Sequence, residues 1–255
     1  MDPWDQTAGV VTVSVVSHLQ RDLVGPLLEE LAPFPEIGRV VLTHNMPEQD
    51  VALPAGPGGR VKVLHNKKPG GFGENHNAAF RHCTTPYFCV LNPDIQFIEN
   101  PFPVLLEDLQ EPDMALMGPR VINPEGEMED SLREFPGPLT LLARKLGGPE
   151  KRYAARAGAR TIQPEWMAGM FMLFRSEEYR AIGGFDEGYF LYCEDTDICL
   201  RLRRAGKKLG VSVRTRVVHD SRRDSRRKLR YMSWHVRSMG RLWVRHLGRR
   251  PPVSS

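Results

Sequence analysis

Asn92-Pro93-Asp94 follows directly on the apolar run Tyr87 to Leu91 (YFCVL), so a lone carboxylate stands at the end of a buried-strand candidate, facing a polar loop. Such a carboxylate suits a hard divalent cation that also holds phosphate oxygens, although Asn-Pro-Asp is equally a common turn. Upstream, Asn66-Lys67-Lys68-Pro69-Gly70-Gly71-Phe72-Gly73-Glu74-Asn75-His76-Asn77 is a glycine-rich loop opening a helix. Backbone N–H groups there can approach a phosphate closely, or the loop is a plain turn. It is neither a Walker loop nor a GxGxxG. Downstream, Glu194-Asp195-Thr196-Asp197 sets three carboxylates within four residues at the head of an apolar-periodic segment. A helix N-terminus stabilises charge at that position, and capping is the plain role for Asp195 and Asp197. His219 lies just past an apolar run and is either a phosphate or metal contact or a hydrogen-bonded surface histidine.

These residues need a scaffold. Val10 to Val16 is short, apolar and β-branched, as a strand buried on both faces should be. Leu19 to Leu31 reads as a helix, with Leu23, Leu27, Leu28 and Leu31 on one side. Arg39 to Thr43 and Val61 to Leu64 read as strands, separated by a Pro- and Gly-rich loop from Ala52 to Gly59. Phe97 to Leu109 reads as loop and helix, Met114 to Pro119 as a strand and Val121 to Gly126 as a turn. Lys208 to Val213 and Arg216 to Val218 read as two short strands. Strands and helices in this order argue for an α/β open sheet with function at the C-terminal ends of the strands. Residues 127–163 are Pro- and Gly-broken, either a mobile segment over the site or a surface insertion.

The chain of 255 residues carries 41% hydrophobic and 26% charged residues, ordinary values for a soluble globular protein. No run approaches the roughly 18 apolar residues of a membrane span. The acidic start MDPWDQTAG has no signal-peptide pattern, so a cytoplasmic location is expected. The four cysteines show no zinc spacing and read as reduced core thiols. Eleven Arg/Lys and one Asp between Arg222 and Arg250 give that segment +10, against +4 for the whole chain, so the remainder stands at −6. Leu229, Met232, Val236, Met239, Trp243 and Leu247 recur at helical spacing within it. The tail is a helix packed on the domain, a nucleic-acid stripe, or an interfacial helix on anionic lipid, which its arginines and tryptophans favour over nucleic acid. It carries no recognised nucleic-acid-binding motif.

In order along the chain, VTVSVVS, Gly71-Phe72 with Asn77, VLNPDI, GPRVINPEG, WMAGMFMLFR and GGFDEGYFLYCEDTDICLRLRRAG with VVH resemble the bacterial family 2 glycosyltransferases of GT-A fold. The closest flavour is the rhamnosyltransferase-like branch that builds cell-surface polysaccharide, and the resemblance spans about residues 10–245. It implies a Rossmann-like mixed open sheet flanked by helices over residues 1–220, with residues 221–255 as a basic amphipathic helix and tail. It implies an inverting transfer of a sugar from a nucleotide-diphosphate donor, dTDP-rhamnose-like or a UDP-sugar, to a hydroxyl of a saccharide or polyprenyl-diphosphate-linked saccharide. Carried over, Asp195 is the general base, with Glu194 shaping the acceptor pocket beside Trp166, Ala168 and Gly169. Asp94 holds Mg²⁺ or Mn²⁺, and Ser17, His18, Asn45, Gly71, Phe72, Asn77, Asn92 and His219 line the donor side. An anionic membrane surface at the inner face of the cell membrane and a homodimer are further partners compatible with this reading.

Two positions depart from the family pattern. Thr43-His44-Asn45 has no acid where an Asp usually contacts the nucleoside, and His76 stands where Asn is usual. The alternatives are a non-catalytic nucleotide-sugar-binding module of the same fold and a sugar nucleotidyltransferase. The latter usually carries a basic glycine-rich signature near the first strand, where this chain has Ser17-His18-Leu19-Gln20.

Overall fold

The computed structural model describes residues 9–54, 60–129, 131–137, 158–220 and 229–246, together with residues 140, 146, 147 and 153. Strands β1 (Val11–Ser17), β2 (Ile37–His44), β3 (Val61–His65) and β4 (Tyr87–Leu91) run parallel in the order β3-β2-β1-β4. Helix α1 (Arg21–Leu31) follows β1, and α2 (Phe72–Phe80) follows β3. The two helices cover opposite faces, because the strand side chains alternate. Val11, Val13 and Val15 meet Val24, Leu27 and Leu28 of α1 in one core cluster. Phe88 and Val90 meet Ala79 of α2 in another. The chain therefore leaves β1 for β2 on one face and reaches β4 on the other. The C-terminal ends of β1 and β4 border the crevice where open α/β sheets bind ligands.

The other half of the sheet is mixed. β10 (Phe171–Arg175) lies antiparallel between β4 and β6 (Met114–Ile122), and β11 (Lys208–His219) lies parallel to β6. β5 (Ile95–Phe97) closes that edge, and β8 (Thr161–Ile162) pairs with β11. A small second sheet joins β7 (Leu132–Arg133) to β9 (Trp166–Met167). Helices α3 (Phe102–Asp108), α4 (Ser176–Ala181), α5 (Glu194–Arg204) and α6 (Leu229–His246) complete the layers. No described helix is long and apolar enough to cross a membrane.

Three boundaries differ from the sequence reading. α1 begins at Arg21, because Leu19 has a left-handed backbone (φ 62°) and an exposed side chain. β6 continues to Ile122 through Val121, both paired with β11. The two short strands expected at 208–218 are one strand with an irregularity between Val211 and Arg216. Its polar interruption is tolerated because Arg214 pairs with the buried Asp108 at 2.6 Å and Thr215 donates to Glu99 at 2.9 Å. Within the segment 127–163, β7 and β8 are paired strands, while most of 138–157 lies outside the described residues.

α6 packs on the domain. Leu242 is fully buried in a cluster with Tyr189, Cys193 and Leu200. Ser238 donates to the Leu191 carbonyl at 2.8 Å, and Trp243 Nε1 donates to the Pro136 carbonyl at 2.8 Å. Met232, Val236 and Val244, on the outer side, are 63%, 67% and 87% exposed.

Candidate active site

Asp195 sits in the first turn of α5, two residues beyond a strained entry. Tyr192 and Cys193 both have left-handed backbones, φ 72° and 67°, without being glycine. Such residues cost of order 1–3 kcal/mol each and persist where the surrounding structure holds them. Here Tyr189, Cys193 and Leu200 are buried together, and the turn swings the α5 N-terminus back toward the sheet. Asp195 Oδ2 accepts the Gly169 N–H at 3.1 Å, and Oδ1 accepts the Thr196 N–H at 2.7 Å. Burial pushes the Asp195 carboxyl above its ordinary range, against the lowering pull of those two amides. A carboxylate with a raised pKa is a stronger base, and its geometry is fixed by backbone rather than by mobile side chains.

Gly169 is the junction of the site. A Cβ there would lie 3.3 Å from the Phe72 ring and 3.5 Å from the Asp195 Cβ. The next residue, Met170, accepts the Asn92 N–H at 2.9 Å. The end of β4, the turn before β10, the α2 N-terminus and the α5 N-terminus therefore meet at one place. Trp166 borders it from β9, with its Nε1 on the Glu134 carbonyl at 2.8 Å and the Arg133 guanidinium 5.6 Å from its ring centroid. Ala168 is fixed by its N–H to the Ser131 carbonyl at 2.9 Å. Arg133 also exerts a lowering pull on the Asp195 pKa.

Glu194 is 5% exposed, and its Oε2 is a buried atom without a hydrogen-bond partner. Burial raises its pKa well above the ordinary value, and the neighbouring Asp195 charge adds to that. A folded-state pKa above the unfolded one means that the folded protein holds this proton longer. Stability is then lost as pH rises from the unfolded carboxylate value through the folded one. Glu194→Gln is expected to raise the melting temperature by a few degrees near neutral pH, with the gain vanishing below about pH 4. Melts of both proteins across that range check it, and a gain that is independent of pH would contradict the assignment.

Asp94 leaves β4 beside the end of β11. His219 bridges two acids, with Nε2 3.2 Å from Asp94 and Nδ1 2.7 Å from Glu129. Burial lowers the His219 pKa, but the hydrogen bonds and charges of Asp94 and Glu129 outweigh it and the net shift is upward. The other Asp94 oxygen, Oδ1, is buried without a hydrogen-bond partner. An orphaned anionic oxygen at the switch-point end of a strand fits a hard cation, although no cluster of three or more ligating side chains surrounds it among the described residues.

Ser17 and His18 end β1 at the crevice, where Ser17 Oγ accepts the Gln20 N–H at 3.3 Å. The other donor-side candidates divide. Gly71 must be glycine, since a Cβ would lie 2.9 Å from the Phe190 carbonyl oxygen while the Phe72 N–H donates to that same oxygen. Asn45 latches the glycine loop: its Oδ1 accepts Gly70 N–H at 2.7 Å and Asn66 Nδ2 at 3.0 Å, and its Nδ2 reaches the Gly70 carbonyl and His18. Asn77 is occupied in the same way. Its Oδ1 accepts from the Tyr179 hydroxyl and the Phe185 N–H, and its Nδ2 donates to the Phe185 carbonyl and Glu187. Gly184 (φ 67°) is required beside it, because a Cβ would come 2.3 Å from Asn77 Oδ1. His76 lies beneath the sheet rather than in the loop, bonded to Ser14 at 2.8 Å, with its pKa lowered to about 3 by burial.

His44, at the position without an acid, is 1% exposed at the end of β2, with Nδ1 3.2 Å from Glu48 and its ring stacked on His65. Glu48, Glu129 and Arg133 are site neighbours that no sequence pattern singled out.

Comparison with known proteins decides the family. The sequence profile of Glycosyl transferase family 2 matches residues 49–179, just over half of the chain. This chain belongs to glycosyl transferase family 2. It is 28% identical to the rhamnosyltransferase WbbL of Escherichia coli K12, over 92% of this chain and 93% of that protein. It is 27% identical to the N-acetylglucosaminyl-diphospho-decaprenol L-rhamnosyltransferase of Mycobacterium tuberculosis, over 60% of this chain and 53% of that protein. Among solved structures, the mannosyltransferase PcManGT of Pyrobaculum calidifontis, in complex with GDP-Man and Mn²⁺, superposes with a TM-score of 0.61 at 16% identity. That match covers 98% of this chain and 70% of the other. GalNAc-T7 with UDP, GalNAc and Mn²⁺ gives 0.58 at 14% identity, over 86% of this chain and 45% of the other. The fold is GT-A, and the chain is a glycosyltransferase with rhamnosyltransferase-like relatives.

Proposed function

We propose that this glycosyltransferase moves a sugar, with inversion, from a nucleotide-diphosphate donor to a hydroxyl of a saccharide or lipid-linked saccharide in cell-surface polysaccharide synthesis. The observation that carries this reading is the placement of Asp195. Its carboxylate is held by the Gly169 and Thr196 amides at the meeting point of the β4 end, the β10 turn and α2. Asp195 takes the proton of the acceptor hydroxyl, whose oxygen then attacks the anomeric carbon from the face opposite the nucleotide. Glu194, Trp166, Ala168 and Gly169 shape the acceptor side. Ser17, His18, Gly71, Phe72, Asn92 and Asp94 border the donor side, with His219 holding Asp94 in place. Asn45 and Asn77 act on the donor side through the loops they fix.

Mg²⁺ or Mn²⁺ at Asp94 would supply charge neutralisation to the departing diphosphate. The orphaned Asp94 Oδ1 supports that assignment, as do the Mn²⁺ complexes of the two fold neighbours. The domain division follows the same logic, with residues 1–220 forming the transferase body and residues 221–255 a basic appendage. The positive charge of that appendage, with the exposed Met232, Val236 and Val244, suits the inner surface of an anionic membrane. The mycobacterial relative, named for a diphospho-decaprenol substrate, supports a lipid-linked acceptor.

A thermal-shift panel with Mn²⁺ or Mg²⁺ and UDP, dTDP, GDP and CMP, with their common sugars, tests the donor class. A ligand at ~100 times its dissociation constant adds about 2.7 kcal/mol of stability. A metal-dependent shift with one nucleoside diphosphate is expected. Shifts with none would contradict the transferase reading.

A further inference from the structure

A second cleft opens between the loop Glu187–Phe190 and α6, about 300 Å³ in volume, lined by Glu187, Gly188, Phe190, Trp234, Arg237, Ser238 and Arg241. Its apolar part is an aromatic pair, Phe190 and Trp234, with ring centroids 4.8 Å apart. Its polar part is cationic. Arg241 is tied at 2.9 Å to Asp186, an acid it shares with Arg245. Arg237 is exposed and has no ion-pair or hydrogen-bond partner among the described residues. The Glu187 carboxylate, on the other wall, is engaged by Asn77 Nδ2 at 3.0 Å.

The cleft is joined to the catalytic centre by contact. Phe190 accepts the Phe72 N–H at 2.9 Å, and the Phe72 ring covers Gly169, whose amide holds Asp195. A ligand that fits has a doubly anionic group for Arg237 and Arg241, an apolar chain for Phe190 and Trp234, and a polar end reaching over Phe72.

We propose that this cleft is the subsite for the prenyl-diphosphate part of a lipid-linked acceptor, with Arg237 binding the diphosphate and the Phe190–Trp234 pair receiving the first prenyl units. The proposal rests on the transferase reading above and assigns the part of the acceptor that Asp195 does not touch. Aromatic faces are apolar on a rigid frame, and a guanidinium binds phosphate oxygens bidentately. Arg237 therefore serves as anchor because no group among the described residues competes for it.

Calorimetric titration of the whole chain with farnesyl diphosphate tests this, with farnesol and inorganic diphosphate as partial probes. Farnesyl diphosphate is expected to bind, and each partial probe to bind more than tenfold more weakly. Arg237→Ala should weaken farnesyl diphosphate by about 10- to 100-fold, the loss of one charge-assisted contact. Trp234→Ala should weaken it as well, while the metal-dependent shift with nucleoside diphosphate stays unchanged in both variants. Wild-type affinity in both variants would overturn the subsite, as would displacement of farnesyl diphosphate by the nucleoside diphosphate, which would place it in the donor crevice. Failure of the nucleotide shift in the wild-type protein would instead strike the transferase reading, because the farnesyl diphosphate titration does not depend on it.

Discussion

Asp195→Asn is expected to lower turnover by about 10²- to 10⁴-fold, the range that general-base assistance supplies, without lowering the melting temperature. The amide keeps an oxygen that accepts the Gly169 or Thr196 N–H, so the geometry at the head of α5 survives the change. What is lost is the lone pair able to take a proton. The stability effect has a sign of its own. The folded-state pKa of Asp195 is raised, chiefly by burial, so its ionised form costs stability at neutral pH. Removing the charge relieves that cost, and the relief disappears as pH falls into the ordinary carboxylate range, where folded and unfolded states are both protonated. Turnover of the unaltered enzyme should likewise rise with pH through an inflection above the ordinary Asp value near 3.9. Steady-state rates across pH, paired with thermal melts, check both halves. An Asn variant that turned over at the native rate would remove Asp195 from the base role. A variant that lost activity and melted well below the native protein would show only a structural defect.

The same carboxylate was visible in the sequence, and the reason is local. A cluster of acids at the start of a helix is a pattern in consecutive residues, and YFCVL followed by Asn92-Pro93-Asp94 is a strand and its end. The sheet was legible for the same reason, since β1 to β4 are apolar runs bounded by polar turns. Features set by distant partners were not. The bridge from His219 to Asp94 and Glu129 joins residues 90 positions or more apart, and nothing local to Glu129 signals it. β11 hid its continuity because Arg214 and Thr215 break its apolar run, and their partners, Asp108 and Glu99, are over 100 residues away. Asn45 and Asn77 have residue types suited to ligand contact, yet their amides are filled by backbone and side-chain groups of neighbouring loops. Arg133 stands in a stretch whose Pro and Gly content reads as insertion, and only its pairing through β9 brings it to Trp166. The left-handed Tyr192 and Cys193 run against the usual glycine signal for such backbones, so the turn that aims α5 had no mark in the sequence.

Asp197 of α5 ties down the end of α6, and Asp197→Ala is expected to destabilise the protein by about 3–5 kcal/mol, the cost of removing one partner from a buried ion pair. Asp197 is fully buried, with Arg201 at 2.6 Å within α5 and with His246 at 2.7 Å and Arg245 at 3.3 Å from the end of α6. Burial alone would raise its pKa, but the His246 hydrogen bond and the charge of Arg201 outweigh it and hold the carboxyl below its ordinary value. The stability it contributes is therefore present above the unfolded carboxylate value and is lost as pH falls through the folded one, the reverse of Glu194 and Asp195. Alanine leaves the 1%-exposed His246 facing an empty, dry position, so the end of α6 should separate first. Trp243, whose indole N–H is held by the Pro136 carbonyl, reports that separation by fluorescence. Denaturant melts of Asp197→Ala and His246→Ala, singly and together, should give a coupling energy of at least about 1 kcal/mol, since the two residues share one network. Additive losses, or a loss below about 1 kcal/mol for Asp197→Ala, would mean that the tail is held by Leu242 and by its contacts with Asp186, Leu191 and Pro136 instead. Because Asp197 and Asp195 share the first turn of α5, a variant with a loosened tail should also lose turnover beyond its unfolded fraction. Anything that grips the outer face of α6 would then act on the position of Asp195.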